Sequence, residues 1–266
     1  MVAMDSAATS STVSTTYTDH GELGRFAVVT IRRAAKLNTL DPPTIGALHA
    51  QALALHGDET LRGVVVTGAG DRAFIGGADI YTMVDLDADG AEAFITSLHE
   101  AIDAIRNIPV PVIARVNGYC LGAGLEVAAA CDLRVACEDA VFGMPEVKVG
   151  MPSVIEAALL PRLIGWGRTA ELVLLGENIG AGEALQIGLV ERVVGRDQLD
   201  GAVQSWCAAL LSAGPRAVRL QKALMRDWER LPLDQAVQAG IRRYRQSYGS
   251  DEPRSKLRNF VQRRRN

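Results

Sequence analysis

NGYCLGAGLEVAAACDLRVA, residues 117–136, compresses the end of one strand, a glycine loop, a helix start and the next strand into a single run. Upstream, VIARVNGY at 112–119 reads as an apolar strand entering that loop, and DLRVA at 132–136 as the strand that follows. The same order recurs earlier in the chain. RGVVVTGAG at 62–70 has the pattern of a buried strand ending in glycines, and AFIGGADI at 73–80 makes a second glycine turn. From Asp89 to about Asn107, Phe94, Leu98, Ile102 and Ile105 recur at helical spacing, and Pro109 and Pro111 stop the helix. FAVVTIRR at 26–33 is another strand. Asp41 followed by Pro42 and Pro43 supplies an N-cap and a proline-led first turn for a helix running to about His56. Strand, glycine turn and helix in repetition predict an α/β protein.

Periodic helical segments at 197–212, 215–229 and 234–247 follow, so residues 196–266 are expected as a helical region appended to a core at 17–195. Residues 1–16, MVAMDSAATSSTVSTT, lack apolar periodicity and read as a disordered tail. A chain of 266 residues that is 48% apolar can bury one large core without a second domain. The net charge of -3 gives no overall attraction to nucleic acid or anionic membrane, so an anionic ligand must be met locally. No apolar run is long enough to span a bilayer, and the N-terminus lacks the basic and apolar regions of a signal peptide, which predicts a soluble cytoplasmic protein. Cys120, Cys131, Cys137 and Cys207 form no CxxC pair and read as reduced core thiols. The four histidines, His20, His49, His56 and His99, are scattered without ligand spacing, so no metal site is expected. His49 and His56, on one helix, read as a solvated face.

Three segments carry chemistry. In AFIGGADI, paired glycines admit close backbone approach and Ala78-Asp79 opens a helix whose free N–H groups attract negative charge; the glycines alone fit an ordinary tight turn equally well. In NGYCLGAGLE, Gly118, Gly122 and Gly124 do not have the GxGxxG spacing, which argues against a dinucleotide site although Glu138 and Asp139 follow. In FGMPEVKVGMP, residues 142–152, Glu146 follows a stiffening proline amid apolar neighbours, where a buried carboxylate is either paired or functional.

Together AFIGGADI, NGYCLGAGLEVAAACDLRVA, FGMPEVKVG and the later PRLIG and GLVERVV resemble the enoyl-CoA hydratase/isomerase (crotonase) family, from roughly Arg25 to Val194 and more weakly to the end. The resemblance implies a spiral of repeated ββα units, a helical C-terminal region serving oligomerisation and active-site cover, and a homotrimer or homohexamer. It also implies an acyl-CoA thioester substrate, with CoA as part of the substrate and no separate cofactor. By position, the oxyanion-hole amides fall on Ala78 and Ala123, and the catalytic glutamates on Glu126 and Glu146. Lys36, Leu37, Gly76, Gly77, Asp79, Ile80, Tyr81 and Gly122 fall on the substrate and CoA channel, and Phe260 on its cover.

Hydration of a thioester-conjugated double bond needs a base toward water, an acid toward the neighbouring carbon, and donors for charge on the thioester oxygen. Two carboxylates and two N–H groups meet those needs. Glu126, near a helix N-terminus that favours the ionised form, is expected as the base, and Glu146 as the proton donor. The retained pair favours a hydro-lyase over a double-bond isomerase, another crotonase-type reaction or a noncatalytic thioester binder.

Departures from the family pattern concentrate in GMPSVIEAALLPRLIG, residues 150–165, one residue short. There Ser153 replaces an expected glycine, which suggests a hydroxyl on the reacting water or a different acyl pocket. Glu156 adds a third carboxylate, read as a solvated or intersubunit charge. Tyr81 stands where lysine is common. Arg254, Lys256, Arg258, Arg263, Arg264 and Arg265 form a basic end suited either to CoA phosphates or to plain solvation.

Overall fold

The computed structural model describes residues 11–263. The chain opens with β1 (Val13–Asp19) and β2 (Arg25–Ile31), followed by α1 (Pro42–His56), β3 (Leu61–Gly68), β4 (Ala73–Ile75) and α2 (Ala88–Arg106). Next come β5 (Val112–Val116), β6 (Tyr119–Leu121), α3 (Ala123–Ala130), β7 (Leu133–Cys137), β8 (Val141–Gly143) and α4 (Leu160–Leu175). β9 (Ile179–Gly180), α5 (Ala181–Gln186) and β10 (Arg192–Val194) close the core. The helices α6 (Leu199–Ser212), α7 (Pro215–Arg230), α8 (Leu233–Ser247) and α9 (Glu252–Arg263) complete the described chain.

Two sheets are built in alternation. A six-stranded sheet has the order β1-β2-β3-β5-β7-β10, and a four-stranded sheet the order β4-β6-β8-β9. Within the large sheet, β2, β3, β5, β7 and β10 pair in parallel, and only β1 is antiparallel. Each of β3, β5 and β7 leads to a short strand of the small sheet and then a helix, so the chain winds as a spiral of ββα units. All eight residues of β3 are buried, as a strand covered on both faces requires. α2 turns Phe94, Leu98, Ala101, Ile102 and Ile105 onto the core, the stripe its spacing predicts. At the start of α1 the Asp41 side chain accepts the Thr44 N–H at 3.0 Å, with proline in the first turn.

Four sequence expectations change. The tail predicted over 1–16 gives way to strand from Val13, because the β-branched run VSTTYTD pairs antiparallel with β2 and buries Val13; residues 1–10 lie outside the described residues. The strand predicted over 112–119 is two strands. At Gly118 φ is 155°, and the chain leaves the large sheet at Asn117 and joins the small one at Tyr119. The basic end forms α9 as far as Arg263, and Arg264 and Arg265 lie outside the described residues. Its Glu252 side chain accepts the Arg216 and Ala217 N–H groups at the start of α7, at 3.1 and 2.9 Å. His56 is not wholly solvated, since its Nε2 lies 2.8 Å from the Ala104 carbonyl oxygen on α2. All four cysteines are free thiols, three of them buried.

The glycine turns between sheets leave carbonyls without ladder partners, and two buried asparagines answer them. Asn117 Nδ2 donates to Gly68 O at 3.0 Å and Gly70 O at 2.6 Å, while Asn38 Nδ2 donates to Ala73 O at 2.8 Å and Ala69 O at 3.0 Å. Asn38 sits at φ 56°, a left-handed conformation that asparagine tolerates better than most residues. Replacing Asn117 by Ala strands several buried carbonyls and should destabilise the protein by roughly 2–3 kcal/mol. Denaturant unfolding measures this, and a loss within the range of ordinary surface substitutions would contradict the bracing role.

Candidate active site

The turn after β4 and the N-terminus of α3 meet at two glycines. Gly77 lies at φ 113° and Gly122 at φ 51°, and a Cβ built on Gly122 would stand 4.0 Å from Gly77 Cα. Around them several backbone groups are engaged. Leu40 N–H donates to Gly77 O at 2.9 Å and Asp79 N–H to Leu40 O at 2.9 Å. On the other side Gly122 N–H donates to Gly143 O at 2.9 Å and Leu125 N–H to Gly122 O at 2.8 Å. Between these satisfied neighbours, the N–H groups of Ala78 and Ala123 enter no backbone hydrogen bond among the described residues. Both residues line a cavity of about 550 Å³. Ala123 opens α3, so its N–H also carries the partial positive charge of a helix N-terminus.

Glu126 and Glu146 line the same cavity. Glu126 is in the first turn of α3 and only 4% exposed; its Oε1 accepts the Ala157 N–H at 3.1 Å. Glu146 is half-buried in the 3-10 turn Pro145–Val149, and its Oε1 fills the space that a side chain at 122 would need. Gly122 is therefore required twice, for its positive φ and for the carboxylate beside it.

The sequence expectation set Glu146 in the more enclosed position, and the structure sets Glu126 there. Glu126 is the more buried, and burial pushes its carboxyl up to about 8, with Glu146 and Glu156 raising it further and the Ala157 N–H opposing. Desolvation outweighs the helix end, so in the empty pocket Glu126 carries a proton at neutral pH.

Ser153 Oγ donates to Glu146 Oε2 at 2.7 Å, so the serine orients a carboxylate through its hydroxyl. Glu156 is buried and not solvated; its Oε1 lies 2.7 Å from His99 Nδ1, and burial raises its carboxyl above the usual range. Gly76, Gly77, Ile80 and Gly122 line the cavity with the two alanines and the two glutamates. Lys36, Leu37, Asp79, Tyr81 and Phe260 do not. The Asp79 side chain turns inward to Arg33 at 2.9 Å and braces its loop. Leu37 holds Gly76 through its carbonyl oxygen at 2.8 Å. Lys36 is exposed 3.9 Å from Asp79, and Tyr81 is also exposed. Phe260 lines a separate cavity with Tyr244, Tyr248 and Leu257, between α6, α8 and α9. The far wall of the main cavity, which includes Met83, Phe94, Ile95, Leu98, Met151 and Val154, is apolar and suits an acyl chain. Among the described residues no group of three or more His, Cys, Asp or Glu could hold a metal ion.

A family model described as enoyl-CoA hydratase/isomerase matches residues 23–266. The chain belongs to the enoyl-CoA hydratase/isomerase family. It is similar to a short-chain-enoyl-CoA hydratase of Clostridium acetobutylicum, at 32% identity over 91% of this chain and 93% of that one. A crotonyl-CoA hydratase of Syntrophomonas wolfei is 33% identical over 90% of this chain and 93% of its own. Among solved structures, an enoyl-CoA hydratase from Bacillus anthracis superposes with a TM-score of 0.89 at 29% identity, covering 95% of this chain and 96% of that one. The ββα spiral and helical C-terminal region are thus the crotonase fold.

A buried acid of this kind leaves a signature in stability. Unfolded, Glu126 ionises near 4.5, and folded, only near 8, so its contribution to stability falls as pH rises through that window. Glu126→Gln keeps an acceptor for the Ala157 N–H and carries no charge. Its melting temperature should draw level with wild type at low pH, pull ahead between those values and gain no more above about 8. A difference independent of pH would show that burial does not hold the proton there.

Proposed function

We propose that the chain reversibly adds water across the 2,3 double bond of 2-enoyl-CoA thioesters. The observation that carries this reading is one cavity holding two unengaged backbone donors and two carboxylates. The hydratase names of its relatives support the substrate class.

The thioester oxygen takes the N–H groups of Ala78 and Ala123, which stabilise the enolate as it forms. A single water lies between Glu126 and Glu146. As its oxygen bonds to C3, one carboxylate takes its proton and the other gives one to C2, so the pair begins and ends with one proton. The reading gives Glu126 the water's proton and Glu146 the delivery to C2. The two carboxylates share one proton, and it is this shared proton that the reaction uses. Lys36, exposed at the rim of the loop before Asn38, is the proposed contact for the CoA phosphates. The reaction needs no cofactor beyond the CoA of its substrate.

We also infer a trimer or a dimer of trimers. The support is an exposed apolar stripe on α8, Leu233, Val237, Ile241 and Tyr244, of a kind that soluble monomers seldom present. Light scattering on the purified chain tests this, and a monomer at micromolar concentration would refute it. Among the described residues no helix is long and apolar enough to cross a membrane.

Purified protein should consume the conjugated-thioester absorbance of crotonyl-CoA; appearance of that absorbance from a 3-enoyl-CoA, without hydration, would make it an isomerase instead. Glu126→Gln and Glu146→Gln should each lower kcat by roughly 10²–10⁴-fold. Near-normal turnover by either variant removes that residue from the mechanism. Because the pair needs its one proton, kcat/KM should fall above about 8, where Glu126 loses it in the empty enzyme. A profile that climbs through that value would assign Glu126 as a base that must start ionised.

A further inference from the structure

Behind the glutamate pair lies the 3-10 turn Ile155–Leu159, packed against α2, α3 and α4. Its Ala157 N–H is the donor to Glu126 Oε1, at 3.1 Å. The preceding residue, Glu156, is 6% exposed and reaches away from the cavity to His99 on α2, Oε1 to Nδ1 at 2.7 Å. Its Oε2 is buried with no hydrogen-bond partner among the described residues, so the carboxyl is held on this side by one bond. Ile155 stands at φ 39°, where a β-branched residue persists only when its surroundings force it. Two hydrogen bonds from adjacent residues, to α2 and to α3, thus pin a strained turn. Neither His99 nor Glu156 lines the cavity.

We propose that His99 and Glu156 form a positioning clamp for Glu126. By tying the 155–159 turn to α2, the pair keeps the Ala157 N–H on Glu126 Oε1 and leaves Oε2 as the oxygen that meets the shared water. With Nδ1 protonated, His99 donates to Glu156 and fixes the turn in register. Asp103 on α2 adds its charge at Glu156, and Glu156 and Glu146, in the 3-10 turn before Gly150, in turn act on Glu126 on α3. α4 adds no buried charge, since its Arg162, Arg168 and Glu171 are exposed. Glu156 therefore influences Glu126 in two opposed ways. Its charge holds the Glu126 proton on, and the N–H that its bond positions favours letting the proton go.

That opposition makes the clamp testable apart from the two-glutamate mechanism on which it rests. The Glu126 carboxyl is followed by carbon-13 NMR in glutamate-labelled enzyme without substrate, and assigned by its absence from Glu126→Gln. In His99→Ala made on the Glu156→Gln background, where no Glu156 charge can change, the turn loosens and the N–H leaves Glu126, so its titration should move to higher pH than in Glu156→Gln alone. In Glu156→Gln the acceptor for His99 remains while a negative charge is gone, so the titration should move to lower pH. With crotonyl-CoA, His99→Ala should lower kcat on the order of tenfold at a nearly unchanged KM. Glu156→Gln should keep most of the wild-type kcat. A Glu126 titration that stays in place or moves downward when His99→Ala is added to Glu156→Gln overturns the clamp, whatever the kinetics. Because His99 is half-exposed on the surface of α2, its truncation leaves the core packing intact. If wild-type enzyme hydrates no enoyl-CoA, the mechanism fails, and the NMR titration still decides the clamp.

Discussion

Every crossing from the large sheet to the small one interrupts a hydrogen-bond ladder, and the protein is organised around how those interruptions are answered. A buried backbone group left unpaired costs as much as a lost hydrogen bond or more, so each crossing must be satisfied or put to use. Carbonyls at Gly68, Gly70 and Ala73 are taken by Asn38 and Asn117. The amides of Ala78 and Ala123 are left toward the cavity, beside the engaged amides of Asp79 and Gly122. The donors that the proposed mechanism uses are thus left over from the crossing geometry rather than added to it.

Much of this was readable in the sequence because it depends on glycine, proline and apolar period. The α2 stripe, the Asp41 cap and the glycine turns are local signals, and the structure places the elements where those signals point. The two glutamates and the two alanines also come together in one cavity. What the sequence hid was pairing over distance. VSTTYTD looks like a polar tail until β2 is beside it. Asp79 looks like a cavity residue until Arg33, forty-six positions away, turns it inward. Asn38 carries no local signal and Asn117 none beyond the glycine that follows it, since the carbonyls they serve are more than thirty residues distant.

Glu126 shows why local electrostatics alone misleads. The helix end favours a charged carboxylate there by a modest amount, typically below about 1 kcal/mol in exposed sites. Nearly complete burial, with two other carboxylates in range, works against ionisation and prevails. In the segment that delivers those carboxylates, from Glu146 to Glu156, Ser153 turns out to grip Glu146, and Glu156 to grip His99, so these acids are held by side-chain contacts.

The use of main-chain donors at 78 and 123 has a consequence for how such a protein can diversify. Because the peptide amide is common to every residue but proline, inheritance can alter the side chains there without erasing the donors that the proposed mechanism uses. Their methyl groups, facing the same cavity, remain free to reshape what fits inside. Reactivity is thereby stored in the path of the backbone, and selectivity in the groups attached to it.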